Sequence, residues 1–332
     1  MKKEIAFIMP YFGTFRPSLE LWIESVRNNP QIDWIIFTDN KEPSNLPQNI
    51  IWKETTLKDV ENLATKKMGQ PVNLSKPYKL CDLKTFYGIV FEDFLTDYNY
   101  YGYGDFDVVY GRLYQVLKDI NYTDYDKINR WGHCTLVKNT EDMKNLLLDD
   151  EIQEKFNIKK ILSEGRNFGF DELDYNTICW ENGKKMYVGP FSADIDIFYE
   201  RMRCVDKKTM TKICKVSNVT YAPKNYRRQV FVYADGKALR LFIKGKKVCN
   251  EEFAYIHYRR EGVISKSKEC KDFVISREGF FDLDINKIDN LQYVENLIEK
   301  YNSNQRYITE RLQYTPLWKP LSYIYKKIKH LD

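Results

Sequence analysis

Asp105 and Asp107 stand one residue apart in YNYYGYGDFDVVYG, residues 98–111, an aromatic, strand-prone run with glycine at Gly102, Gly104 and Gly111. Side chains alternate along a strand with period two, so carboxylates at i and i+2 leave the same face. Oxygen donors grouped in this way suit a hard divalent cation, Mg²⁺ or Mn²⁺, of the kind that bridges carboxylates to phosphate oxygens. Charge concentrated at the end of a core strand needs a counter-charge, and a cation supplies it. Spacing alone admits a second reading, a pair of solvated loop carboxylates.

The elements around the pair decide where it points. Ile5–Met9 is a continuous apolar run followed by the turn residues PYFGTFRPS, and SLELWIESVRNNP places Leu19, Trp22, Ile23 and Val26 at helical spacing with Ser18 as cap. DWIIFTDN is a second buried-strand run, and strand, loop, helix, strand of this length opens a βαβ unit and a parallel sheet. In open sheets of this type ligands sit beyond the C-terminal strand ends, which is where Tyr11, Phe12, Asp39 and Asn40 fall. NLSKPYKLCDLKTFYGIVFEDFL predicts a long helix with Lys76, Lys79 and Asp82 at its start, leading into the strand that delivers the aspartates. DKINRWGHCTLVKN reads as a strand returning to the same edge, NTEDMKNLLLDDEIQEKF as a helix capped by Thr140, and FGFDELDYNTICWENGKK as a turn into another helix. After Lys185 the pattern becomes strand-like, with Asp235-Gly236 a hairpin signal. From about Val263 the chain reads as a helical, charged appendage.

With 332 residues the chain can bury a large core, and one catalytic domain with a tail is the expected organisation. Its 25 Tyr and 19 Phe suit a wet sugar or base surface as well as a core, and biased genomic composition would produce the same enrichment. A net charge of +5 from 52 basic and 47 acidic residues provides no broad field for nucleic acid. Seven scattered cysteines with no CxxC spacing argue against a zinc ribbon or a disulfide framework and for a reducing cytoplasm. The N-terminal MKKEIAFIMPYFGTF is interrupted by Glu4 and Pro10, so it reads as the first strand instead of a leader. No run approaches the ~18 apolar residues of a membrane span.

The strand ending in Asp-x-Asp, about a hundred residues after IAFIMPYF, resembles the GT-A glycosyltransferases. KPYKLCDLKTFYG followed by YGYGDFDVVYG resembles, more narrowly, an uncharacterised bacterial family found among genes for capsular and cell-surface polysaccharide synthesis. The resemblance covers roughly Lys3 to Gly262 and implies an α/β, Rossmann-like catalytic domain at 1–262 with a mostly parallel central sheet, followed by a helical extension at 263–332. It also implies that Asp105 and Asp107 hold Mn²⁺ or Mg²⁺ against the diphosphate of a UDP-sugar donor. Late histidines return to the cation in retaining GT-A enzymes, and His257 in FAYIHYRREG resembles that ligand; imidazole suits Mn²⁺ better than Mg²⁺. Arg259 and Arg260, or Lys266 and Lys268, would neutralise the leaving diphosphate, unless they form a solvated basic face.

Asp171 and Glu172 fall where such folds place an acidic residue near the acceptor, as general base in an inverting enzyme or as an orienting group in a retaining one. Helix capping by Asp171 explains the same residues. Trp131 would stack on a sugar and His133 hydrogen-bond a hydroxyl, although a satisfied core histidine is the plainer reading. Tyr11 and Phe12 would contact the base, Asp39 or Asn40 the base or ribose, and Lys79 and Asp82 the donor.

The tail YTPLWKPLSYIYKKIKHLD mixes Trp, Tyr and lysine like an in-plane membrane-surface helix, so residues 315–331 are expected either at the inner face of the cell membrane or packed on the catalytic domain. The reaction expected is sugar transfer to a glycan or lipid-linked glycan acceptor, with retention slightly favoured. The alternatives are a sugar nucleotidyltransferase, against which the single glycine of MPYFGTFRPS counts, and a non-catalytic carbohydrate-binding protein.

Overall fold

A computed structural model describes residues 3–196, 201–205, 222–258, 267 and 270–302. Its centre is a seven-stranded sheet in the order β3-β2-β1-β4-β7-β6-β8. The strands are β1 (Ile5–Tyr11), β2 (Ile32–Thr38), β3 (Ile50–Glu54), β4 (Tyr100–Gly104), β6 (Lys127–Ile128), β7 (Cys134–Lys138) and β8 (Met186–Tyr187). β1, β2, β3 and β4 pair in parallel, whereas β7 runs antiparallel to both β4 and β6. The expected α/β architecture with a mostly parallel central sheet flanked by helices is what the chain adopts. β2 is buried along its whole length, as a parallel strand covered on both faces must be.

Helix α1 (Leu19–Arg27) and helix α2 (Leu57–Met68) occupy the predicted segments. α2 starts in a capping box, with Thr56 accepting from the Asp59 amide and Asp59 reaching back, and stops at Gly69 in the left-handed region. Ser18 precedes α1 without capping it; its hydroxyl instead accepts from the Tyr258 phenol at 3.0 Å.

Three expectations are corrected. The long helix predicted in residues 73–95 is a succession of short α and 3-10 turns from Pro77–Lys79 to Glu92–Phe94. Lys79, Asp82 and Lys84 are all buried along it, and satisfying inward polar groups breaks the regular ladder. The single strand predicted over 126–139 is two antiparallel strands, β6 and β7, joined by a turn that starts with Asn129 at positive φ. The chain after residue 262 does not open as a helical appendage. β15 (Phe273–Ser276) and β16 (Gly279–Asp282) form a hairpin that extends the meander of β11 (Gln229–Ala234), β12 (Lys237–Lys244) and β13 (Lys247–Phe253) into a five-stranded sheet. The helix Leu291–Tyr301 packs its apolar side on that sheet. The Asp235-Gly236 hairpin is present with both residues at positive φ.

A third sheet, in the order β10-β9-β14-β5, joins the two larger ones. It consists of β5 (Val108–Tyr110), β9 (Ser192–Asp196), β10 (Arg203–Cys204) and β14 (Tyr255–His257). Its register is what builds the site: His257 lies opposite Val108 on one side and Asp194 on the other.

Candidate active site

β4 ends at Gly104 and β5 begins at Val108, so Asp105 and Asp107 occupy the short turn between two sheets. The Asp105 amide donates to the His133 carbonyl at 3.2 Å, and the Tyr258 amide to the Asp107 carbonyl at 3.1 Å. These bonds tie the turn to the loop before β7 and to the end of β14. Ligand atoms of Asp105, Asp107 and His257 all lie within 4.8 Å of one another. Two carboxylate oxygens and an imidazole nitrogen form a donor set that suits Mn²⁺.

Two contacts orient this triad. His257 Nδ1 lies 2.9 Å from Asp194 Oδ1, leaving Nε2 facing Asp107 at 3.5 Å. A carboxylate behind one ring nitrogen is how proteins fix a metal-binding imidazole. Arg16, in the loop leaving β1, reaches Asp107 Oδ2 at 3.2 Å. Burial lowers the affinity of His257 for a proton, but Asp107 and Asp194 outweigh it and raise the pKa to about 10. For Asp107 burial acts upward and is overcome by His257 and Arg16, which hold the group well below the usual carboxylate range. His133 stacks on His257 with ring centroids 4.1 Å apart, and Trp131 lies parallel to His133 at 6.1 Å. His133, Asp194 and His257 form a second, fully buried group with metal-ligand spacing that shares His257 with the first.

Lys84 links the triad to a pair of acids. Its ammonium donates to Asp105 Oδ1 at 2.5 Å and to the Gly132 carbonyl at 3.0 Å. Burial opposes that charge, yet Asp105, Cys81 and Asp171 hold the Lys84 pKa well above its ordinary value. Asp171 and Glu172 face the Gly132 turn, where the Gly132 amide donates to Glu172 Oε1 at 3.0 Å. A Cβ on residue 132 would come within 2.0 Å of Asp171 Oδ2, so only glycine permits this approach. Burial raises Asp171 to about 7, against the pull of Lys84 and with Glu172 and Asp105 adding to the rise. Burial also raises Glu172, with the Gly132 amide and Lys84 opposing. Asp171 does not cap the helix Asp174–Glu181, whose N-cap is Leu173 without a side-chain bond.

The expected nucleotide residues fall at the ends of β1 and β2. Asp39 accepts from the Gly13 amide at 3.0 Å and Asn40 donates to the Gly13 carbonyl at 2.8 Å, clamping the loop after β1, while Phe12 is buried beneath it. Tyr11 stacks on Phe15 at 4.4 Å, and Phe15 packs near Trp52 and Phe106. Lys79 and Asp82 are placed differently. They pair at 2.8 Å in the interior, where Lys79 also donates to the Ile161 and Arg166 carbonyls and Asp82 accepts from the Phe168 and Phe170 amides. They brace the loop that carries Asp171. Arg259, Arg260, Lys266, Lys268 and the tail 315–331 lie outside the described residues. Among the described residues no helix is long and apolar enough to cross a membrane, and Cys81, Cys134, Cys179, Cys204 and Cys249 are free.

Sequence reasoning passed over Lys84, Asp194, Arg16 and Gly132. Asp194 carried a usable signal, an alternating acid in SADID, but only the β9–β14 register brings it to His257.

These features define an α/β protein with a carboxylate–histidine cluster of metal-ligand spacing where its sheets meet. Residues 7–284 match the model of a family of unknown function, DUF6625, and the chain belongs to that family. No curated protein matches the chain. Among solved structures it is similar to galactosyltransferase LgtC in complex with donor and acceptor sugar analogues, at 10% identity over 57% of this chain and 75% of that one, with a TM-score of 0.35. It is also similar to apo mouse xyloside xylosyltransferase 1, at 8% identity over 60% of this chain and 89% of that one, with a TM-score of 0.38.

Proposed function

We propose that the protein is a metal-dependent glycosyltransferase of GT-A type that moves a sugar from a nucleoside diphosphate donor, a UDP-sugar, to a glycan or lipid-linked glycan acceptor in bacterial surface polysaccharide synthesis. The observation that carries this reading is the convergence of Asp105, Asp107 and His257 to within 4.8 Å at the end of β4. Two carboxylates and an oriented imidazole fit Mn²⁺ or Mg²⁺, with the nitrogen favouring Mn²⁺. Such an ion, when bound, acts as a Lewis acid on the diphosphate of the donor.

The side chains divide the remaining tasks. Asp194 holds His257 by its far nitrogen, and Lys84 anchors Asp105 by an ion pair in a partly buried corner. Tyr11, Phe15 and Trp52 offer aromatic surface to the base beside the loop clamped by Asp39 and Asn40. Asp171, with a pKa raised by burial to about 7, is matched to accepting or sharing the proton of an acceptor hydroxyl near neutral pH. His257 in the triad favours retention of anomeric configuration. Trp131 and His133 line the side of the site next to Asp171, and the basic 259–268 segment and the 315–331 tail are assigned to the diphosphate and to a cytoplasmic membrane face.

The test is release of UDP from a panel of UDP-sugars by the purified protein. The reading expects release that stops with a chelator and returns with Mn²⁺; a protein that cleaves none of the common donors with either ion contradicts it.

A further inference from the structure

Arg130 is a buried cation without an anion. The residue is 8% exposed, its Nε is sealed from solvent and donates to no described residue, and its guanidinium pairs with no carboxylate among the described residues. The buried lysines Lys79, Lys84 and Lys127 differ, since each donates to protein oxygens. The charged head of Arg130 faces the Trp131 ring, 5.3 Å from its centroid, and the indole offsets only part of the lost hydration. Arginine cannot shed its proton to escape the rest of that cost, so a buried guanidinium with idle donors calls for an anion.

The chain holds this group beside the cation cluster. Arg130 lies in the turn between β6 and β7, two residues before Gly132, whose carbonyl accepts from Lys84 and whose amide donates to Glu172. Its own backbone is fixed at both ends: the amide donates to Asn129 Oδ1 at 2.9 Å, and the carbonyl accepts from Asn176 at 3.0 Å. A row of flat groups then leads inward. Arg130 covers Trp131, Trp131 lies parallel to His133 at 6.1 Å, and His133 stacks on His257 at 4.1 Å. In the sheet, β4 with the aspartates past its end separates β7 and β6 from β1, β2 and β3, which carry Tyr11 and Trp52. Arg130 is therefore across the cluster from the aromatic surface assigned to the base, on the side left for an acceptor.

We infer that Arg130 binds an oxyanion, a carboxylate or a phosphate, carried on the acceptor sugar. The anion site stands on Arg130 itself; its assignment to the acceptor rests on the glycosyl-transfer reading and adds the class of acceptor, an acidic pyranoside. The planar fork of a guanidinium, with Nε and one Nη side by side, matches two oxygens of either group.

Binding and unfolding together test this, with Mg²⁺ and UDP present and ionic strength held constant. The probes are methyl β-D-glucuronide, methyl β-D-glucopyranoside 6-phosphate, neutral methyl β-D-glucopyranoside, acetate and inorganic phosphate. The wild type is expected to bind at least one acidic pyranoside more tightly than the neutral one, and Arg130→Met to weaken that sugar by about tenfold to a hundredfold. Without ligand, Arg130→Met should unfold at a temperature no lower than the wild type, because it removes an unpaired buried charge while keeping the packing. A response to the glucuronide alone assigns a uronic acid, and one to the 6-phosphate alone a sugar phosphate. Acetate or inorganic phosphate binding as tightly as the sugars means an adventitious ion only and overturns the subsite. Equal binding of acidic and neutral sugars, an unchanged preference in Arg130→Met, or a lower unfolding temperature for that variant overturns it too. Arg130-dependent binding in a protein that releases no UDP from any donor keeps the anion site and removes the transferase, and UDP release without that preference does the reverse.

Discussion

Three buried lysines within fifty residues of sequence meet three different fates. Lys79 pairs with Asp82 where neither side chain reaches solvent, and every polar atom of the pair is used on protein. Lys84 pairs with Asp105, whose side chain is 35% exposed and keeps one oxygen for the site. Lys127 pairs with no carboxylate among the described residues and donates to the Asn129 carbonyl and Asn176 Oδ1. A sealed ion pair builds structure, because any ligand would have to displace bonds it cannot replace. An ion pair open on its acidic side can bind, because its lysine holds one carboxylate oxygen while solvent, or a cation, takes the other. Lys79 and Lys84 lie five residues apart on one segment, so the same turns both brace the acidic loop and reach Asp105.

The largest effect expected is at the open end. Asp105→Ala and Asp107→Ala should each lower metal-dependent UDP release by about a thousandfold, some 4 kcal/mol of transition-state stabilisation, in steady-state assays. Retention of a tenth of the activity in either variant would merge the open pair with the sealed one. At the sealed end, Asp82→Ala strands the Lys79 charge and the Phe168 and Phe170 amides, and should cost about 3–5 kcal/mol in denaturant unfolding. A loss under about 1 kcal/mol would remove the brace.

Next comes Asp194→Asn, which leaves the fold but loosens the His257 ring; about a 10–100-fold loss of Mn²⁺ affinity by calorimetric titration is expected. Unchanged affinity would mean that the ring is held by β14 alone.

The effect at Lys127 is read through pH. Burial lowers its pKa from 10.5 to about 8. Between those values the unfolded chain binds a proton that the native chain has released, so stability rises as pH climbs through this window. The gain is about 3 kcal/mol at most. Lys127→Met should flatten that rise when unfolding is measured from pH 7.5 to 10, and a slope equal to the wild type would contradict a neutral buried lysine.

Local pattern was enough to place part of this. The apolar runs of β1 and β2 and the abrupt change to polar residues at their ends gave the sheet and its strand ends, and Asp105 and Asp107 lie past the end of β4 as their place after the aromatic run suggested. Long-range register was invisible. His257 meets Asp194 across 63 residues, and Arg16 meets Asp107 across 91. No periodicity encodes which strands become neighbours. Lys79 and Lys84 read alike in KPYKLCDLKTFYG, and only their partners separate the structural lysine from the other: Asp82 is sealed in the interior and Asp105 is partly exposed. The hairpin at 273–282 was missed because its strands have only four residues each, too short for alternation to stand out among charged neighbours.

The most direct measurement is of the cation itself. Electron paramagnetic resonance of Mn²⁺ added with UDP should show one bound ion with ¹⁴N coupling from an imidazole. The coupling should vanish in His257→Gln, and the bound signal should vanish in Asp107→Ala. A wild-type protein that leaves Mn²⁺ free in the presence of UDP, or an unchanged bound spectrum in both variants, would contradict a cation held where β4 gives way to β5.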